Sequence, residues 1–184
     1  MENEQNGGEP FPNQLHFRAA VQQESQEIFK IFSDAITHMN ELGIDQWDSI
    51  CPDQLTIHND IQCRTMYLLS QKDSIISVIV LNEEQSPEYK TVCWQHRGRK
   101  VAVIHRLCVK PTEQGKGFGK KIILLAEQEL LKLGYDCVRL DAFSQNPVAA
   151  KLYEAFGYEK AGQVSFRKGI FYCYEKILCA PSES

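Results

Sequence analysis

The sequence predicts one α/β domain, and three observations predict it. β-rich runs alternate with segments of helical periodicity along most of the chain. The alternation is clearest where residues 101–109 read as a strand, 117–133 as an amphipathic helix and 137–142 as a strand again. The chain closes on two further β-rich runs joined by a turn. Its 184 residues, 43% hydrophobic and 24% charged, suit one core of substantial size and leave two full domains cramped.

Residues 1–14 are rich in Glu, Asn, Gly and Pro, with almost nothing apolar to bury, and are expected to form a flexible tail. The domain is expected to span 15–178. Residues 15–18 alternate as a short strand, and Ile28, Phe32, Ala35, Ile36, Met39 and Leu42 then recur at helical spacing until Gly43. After a connection carrying Trp47, Pro52 is placed to open a second helix at its first position, with Leu55, Asp60 and Ile61 continuing it toward Cys63. Residues 65–70 and 74–81 form a predicted hairpin around Gln71, Lys72 and Asp73. The polar stretch 82–100, with Tyr89 and Trp94, reads as a long loop or a strand extension, and long loops in compact domains often carry function.

Pro111 ends the strand at 101–109. In the helix at 117–133 the residues Phe118, Ile122, Leu125, Ala126 and Leu130 make one apolar face, and Gly134 suits its C-terminal cap. A shorter helix is expected at 146–156, stopped by Gly157. The runs 164–167 and 170–177 then form a hairpin turning at Lys168 and Gly169, and 179–184 form a short tail.

Net charge is −4 and the basic residues are scattered, so the footprint of a nucleic-acid binder is missing. A mildly acidic surface is compatible with a cationic amine. Seven cysteines, an odd number with no C-x-x-C pair, argue against a zinc site, and no metal is expected. Apolar runs fall short of a membrane span and the amino terminus is acidic and polar, so a cytoplasmic protein with free thiols is expected.

The segment with most chemical content lies between the strand at 101–109 and the helix after it: Gln114, Gly115, Lys116, Gly117, Phe118, Gly119, Lys120. Glycines let backbone approach a ligand closely, and N–H groups at a helix start form an anion site suited to pyrophosphate. The spacing matches neither the P-loop of nucleotide triphosphatases nor the dinucleotide fingerprint.

This segment resembles the acetyl-CoA signature of the GNAT N-acetyltransferases, Q/R-x-x-G-x-G/A, filled by Gln114, Gly117 and Gly119. The preceding spacing from Val109 to Glu113 is similar, as are Arg139-Leu140-Asp141, Asn146, Leu152-Tyr153-Glu154 and Gly157-Tyr158 downstream. The resemblance runs from about residue 15 to 178. It implies a GNAT-like fold, a twisted mixed sheet of six or seven strands with about four helices, splayed between the strands at 101–109 and 137–142. Acetyl-CoA would place its pantetheine arm in the split, pairing with backbone of Leu107, Cys108 and Val109, while Gln114 to Lys120 hold the pyrophosphate. Family members transfer the acetyl group directly, which makes Cys108 a buried strand residue and not a nucleophile.

Direct transfer to an amine needs a neutral nucleophile, a stabilised oxyanion and a proton for the departing thiolate. Tyr153 is the candidate acid. Asn146 lies two helical turns before it, so that both can look at the sulfur. Asn146 and Pro147 also suit a helix N-cap and first turn. His105 is the candidate base, because strict alternation puts it on one strand face with Val103 and Leu107, near the expected thioester. Glu83 and Glu84 are the alternative, acting through water. Asp141 can hold a substrate ammonium or pair with Arg106 or Arg139. Trp47, Tyr89 and Trp94 are candidate walls of the acceptor pocket. Where related sequences tend to place Gly in the third strand, this chain has Ser77.

The expected activity is transfer of an acetyl group to a primary amine of a small molecule or peptide, by a monomer or homodimer. The alternative is a non-catalytic acyl-CoA binding module of the same fold. A hydrolase lacks a supported nucleophile, base and orienter. Nothing in the sequence encodes the acceptor's identity.

Overall fold

The computed structural model describes residues 14–179 apart from 73, 97 and 98. The tails expected at the two ends therefore lie almost wholly outside the described residues. Seven strands form one sheet: β1 Leu15–Ala19, β2 Met66–Gln71, β3 Ser74–Asn82, β4 Val101–Val109, β5 Cys137–Phe143, β6 Glu159–Phe166 and β7 Gly169–Ile177. Their order is β1-β2-β3-β4-β5-β7-β6, and every neighbouring pair is antiparallel except β4 with β5. Four α-helices cover it: α1 Ser25–Glu41, α2 Gln54–Gln62, α3 Phe118–Lys132 and α4 Pro147–Ala155. This is the mixed GNAT-like sheet expected from the sequence.

Each face of the sheet has its own core, set by side-chain alternation. On one face α3 buries Ile122, Ile123, Ala126 and Leu130 against Leu69, Ile79, Ala102, Ile104, Val138 and Leu140. On the other, Ile28, Ile31, Phe32 and Ala35 of α1 and Ile57 and Ile61 of α2 cover Met66, Leu68, Val78 and Val80. Each such fully buried aliphatic side chain contributes roughly 1.5–3 kcal/mol.

β4 and β5 are the connected parallel pair, with α3 as the crossover. Their register runs only from Val101↔Cys137 to Ile104↔Leu140. Beyond those residues the two strands are no longer paired, while β4 stays registered with β3 as far as Val109. The sheet therefore splits where the sequence resemblance places the split.

β4 also departs from strict alternation. Val80 pairs with His105 and Val78 with Cys108, so Ile79 alone opposes Arg106 and Leu107. This is a bulge, and Arg106 takes a left-handed φ of 49° in it. The bulge shifts the parity of the strand: Leu107 packs on the α3 side with Ala102 and Ile104, and Cys108 packs on the α1–α2 side. The expectation that Leu107 shares a face with His105 and Val103 is thus corrected. The strained residue is tied down by its own side chain, whose guanidinium donates to both carboxylate oxygens of Asp60 on α2, at 2.8 and 2.7 Å.

Two local expectations also change. Pro52 precedes α2 instead of opening it: the cap is Asp53, whose carboxylate accepts from Thr56 N at 2.8 Å, leaving Pro52 outside the first turn. β6 begins at Glu159 and not at residue 164, because β7 offers a long edge and the outer strand of a sheet tolerates polar, exposed residues. Among the described residues the stretch between β3 and β4 follows the loop alternative, with one 3-10 turn at Pro87–Thr91; Tyr89, Val92 and Trp94 pin it to Val103, Phe143 and Phe171 in a third apolar cluster.

Candidate active site

The strand-to-helix junction leaves backbone amides free at the start of α3. After a short 3-10 turn at Pro111–Glu113, Gly115 and Gly117 take positive φ values of 75° and 86°, and Gly117 becomes the N-cap of α3. A glycine cap has no side chain to bond the first-turn amides, and the first turn of α3 carries no acidic residue. The N–H groups of Phe118, Gly119 and Lys120 precede the first intrahelical bond, Lys121 N to Gly117 O, and are open to an anion. A Cβ placed at Gly115 or Gly117 meets nothing within 4 Å, so the space above them is free for a ligand. At Gly119 a Cβ would lie 3.2 Å from Leu152 Cδ2, so this glycine lets α3 and α4 approach.

A cleft of about 860 Å³ runs from this junction along the split and is lined by Leu107, Cys108, Val109, Gln114, Gly115, Gly117, Phe118, Gly119, Lys120, Asn146 and Tyr153, among others. Lys116 is turned to Glu113 at 3.0 Å. The β5-facing backbone of β4 past Ile104 has no strand partner there, although the carbonyl of Val109 accepts from Gln114 Nε2 at 3.1 Å. Open amides, two left-handed glycines and an unpaired strand edge together fit the pyrophosphate and the amide-bearing arm of a coenzyme A. The thiol of Cys108 is pushed up to about 12 by burial, so it stays protonated and is no nucleophile at neutral pH.

Asn146 caps α4. Its Oδ1 accepts from Ala149 N at 3.1 Å and its Nδ2 donates to Gln46 on the α1–α2 connection at 2.9 Å. Tyr153 is nearly buried between Tyr158 and Tyr174, with ring centroids at 5.7 and 6.3 Å, and burial drives its pKa well above the usual tyrosine value. It lines the cleft as a hydroxyl that never ionises near neutrality.

His105 and Asp141 are each the first residue beyond the last β4–β5 register pair, and both line the cleft. His105 Nε2 lies 3.0 Å from the carbonyl of Glu84. A carbonyl only accepts, so Nε2 carries the hydrogen and Nδ1 keeps its lone pair. Burial, and then the charge of Arg106, push His105 down to about 4. Asp141 Oδ2 accepts from the Tyr89 hydroxyl at 2.7 Å, and burial outweighs that bond and raises the carboxyl above its ordinary range. Arg106 is committed to Asp60, and the guanidinium of Arg139 lies 3.9 Å from Glu175, so neither takes Asp141.

The remaining candidates separate. Trp47 lines the cleft, its ring edge-on to Phe32 at 5.4 Å. Glu83, Tyr89 and Trp94 line a second cavity of about 640 Å³ instead. Glu83 accepts from the Tyr135 hydroxyl at 2.8 Å, and the Trp94 indole N–H donates to the Tyr89 carbonyl at 2.9 Å. Trp94 therefore braces Tyr89, which in turn holds Asp141. Glu84 offers the site its backbone carbonyl. The Ser77 side chain is wholly buried and its Oγ has no partner among the described residues. Sequence reasoning missed Gln46, Asp60 and the Tyr89–Asp141 bond, which join residues distant in the chain and leave no local signature.

Comparison with known proteins agrees with this geometry. A spermine/spermidine N(1)-acetyltransferase of Bacillus subtilis is 37% identical over 65 residues, which is 34% of this chain and 42% of that enzyme, so the match spans less than half of the relative. An acetyltransferase of Streptococcus agalactiae superposes with a TM-score of 0.76 at 20% identity, over 90% of this chain and 96% of its own. The PaiA N-acetyltransferase of Thermoplasma acidophilum, solved in complex with coenzyme A, gives 0.68 at 18% identity, over 89% and 99%. Among the described residues no helix is long and apolar enough to cross a membrane. The model of the acetyltransferase (GNAT) family matches residues 26–158, most of the chain and all of the cleft's central elements, and the chain belongs to that family.

Proposed function

We propose that this protein transfers an acetyl group from acetyl-CoA directly to a primary amine. The observation that carries the reading is the cleft itself, which joins an amide-lined helix start to a strand split flanked by two proton-accepting side chains. Acetyl-CoA would supply a thioester, an acyl group already activated toward an amine. The N–H groups at the start of α3, with Lys120, hold the pyrophosphate, and backbone of Leu107, Cys108 and Val109 aligns the arm in the split.

Tyr153 holds a proton at its phenolic oxygen that it would give to a departing thiolate, the phenolate then recovering a proton from solvent. Asn146 fixes α4 so that Tyr153 reaches the cleft, and keeps one Nδ2 hydrogen and one Oδ1 lone pair for the same neighbourhood. At the throat, burial makes His105 a weaker proton acceptor and Asp141 a stronger one. The Asp141 carboxylate therefore takes the ammonium proton, and His105 Nδ1 is the second acceptor. Glu83, bonded to Tyr135 in the other cavity, supports a base role less well.

Release of CoA from acetyl-CoA across a panel of amines, amino acids and peptides tests the reading. Turnover that depends on Tyr153 supports it. Tight CoA binding with no turnover on any amine would instead identify a non-catalytic acyl-CoA binding module. Gly117→Val should abolish CoA binding in a folded protein, since the added side chain enters the open space over the junction.

A further inference from the structure

We infer that the acceptor is a monoamine carried on an apolar body, aromatic or branched alkyl, and not a polyamine; this rests on the acetyltransferase reading above. Away from the α3 junction, the cleft is walled by Ala35 and Met39 of α1, Leu42, Ile44 and Trp47 of the following connection, and Phe171 of β7. Such a wall favours desolvated carbon and an aromatic face, not a chain of ammonium groups.

The charges on the cleft point the same way. Its carboxylates are Glu113 and Asp141. Glu113 sits beside the α3 junction and is taken by Lys116 at 3.0 Å. Asp141, whose other partner is a tyrosine hydroxyl, is left to receive one cation. The cationic groups on the cleft, Arg106, Lys120 and Lys151, add no site for a second ammonium; Arg106 is already paired with Asp60. The additional ammonium groups of a polyamine would therefore lie against Met39, Trp47 and Phe171 without a counter-charge, and burying an unpaired charge costs several kcal/mol. One carboxylate at the throat and an apolar wall behind it select one amine on a greasy body.

The test uses 2-phenylethylamine and spermidine as probes, read by turnover with acetyl-CoA and by calorimetry of amine binding to the CoA-saturated protein. The expected result is a kcat/KM for 2-phenylethylamine at least about tenfold above that for spermidine, the ratio that ~1.4 kcal/mol of differential binding gives. Asp141→Asn should weaken 2-phenylethylamine binding by a similar factor while CoA affinity stays unchanged. Because Asp141 is buried, Leu42→Asp serves as a second variant at an exposed position: a new carboxylate at the cleft edge should narrow the preference toward spermidine. Preference for spermidine in the native chain, or an unaltered 2-phenylethylamine affinity in Asp141→Asn, overturns the inference. Turnover confined to peptide amines overturns it while leaving the acetyltransferase reading intact. If no amine releases CoA, that reading fails, and the calorimetric effect of Asp141→Asn still decides the pocket.

Discussion

Tyr89 donates a 2.7 Å hydrogen bond to the buried carboxylate of Asp141 across 52 residues of sequence. The bond joins the 3-10 turn between β3 and β4 to the point on β5 where the sheet parts. Tyr89 is held in turn by Trp94, whose ring lies tilted against it at 5.2 Å, and Arg139 lies over the Trp94 ring at 4.3 Å. A segment with no regular pattern thus sets the position of a side chain at the throat of the cleft.

The native chain should lose stability as Asp141 ionises. Burial raises its folded pKa above the unfolded value, so its favourable contribution is complete below the unfolded pKa and is lost as pH rises through the folded one. Asp141→Asn keeps an acceptor for Tyr89 and has no charge to bury. Its melting temperature should exceed that of the native chain at pH 7, with the difference vanishing below about pH 4, the ordinary carboxylate value. Equal melting temperatures at both pH values would mean that Asp141 is solvated.

Asp60→Ala should cost about 3–5 kcal/mol in denaturant unfolding, the usual effect of leaving a buried charge unpaired. The side chains of Asp60 and Arg106 are 11% and 19% exposed and share two hydrogen bonds, and Arg106 stands in a strained conformation that the pair helps to hold. Lys30→Ala, which breaks the exposed pair with Asp34, is the control and should change stability by no more than about 1 kcal/mol. Matching losses in the two variants would contradict the clamp.

The strands, α1, α3 and the glycine junction were legible because each is a local pattern. Ile122, Ala126 and Leu130 repeat with the helix, and Gly115 and Gly117 sit where left-handed backbone is needed. The β4 bulge was not legible. Arg106 takes a positive φ with no glycine to mark it, held by Asp60 from a helix far away in sequence. That one residue reversed the side to which Leu107 points. Pro52 misled for a different reason: a proline near a helix start suits its first turn, but Asp53 supplied the cap and moved the helix past it. The sequence offers Tyr89 and Asp141 separately, as pocket wall and ammonium partner, and only the fold bonds them.

Tyr153→Phe should lower kcat by about 100-fold to 10,000-fold, the range for loss of a general acid. CoA affinity and the melting temperature should change little, since the ring keeps its packing against Tyr158 and Tyr174. Single-turnover measurement is the check, because it isolates the chemical step from product release. An unchanged single-turnover rate would reduce Tyr153 to a core aromatic.

His105 sets the pH dependence through the direction of its shift. Its folded pKa of about 4 lies below that of an unfolded histidine, so near neutral pH the imidazole is uncharged in both states and adds nothing to the balance. As pH falls through about 6.5, the ordinary histidine value, the unfolded chain takes up a proton that the native chain refuses, and stability declines until the native imidazole titrates near 4. His105→Gln should therefore flatten the loss of stability between those two values, as read by melting temperature against pH. The same shift bears on activity. An imidazole that titrates near 4 produces no acidic limb of kcat/KM above about pH 6, so His105→Gln should leave any such limb in place. If that variant removes the limb, the imidazole titrates near its ordinary value when the cleft is open, and His105 becomes the group that takes the ammonium proton.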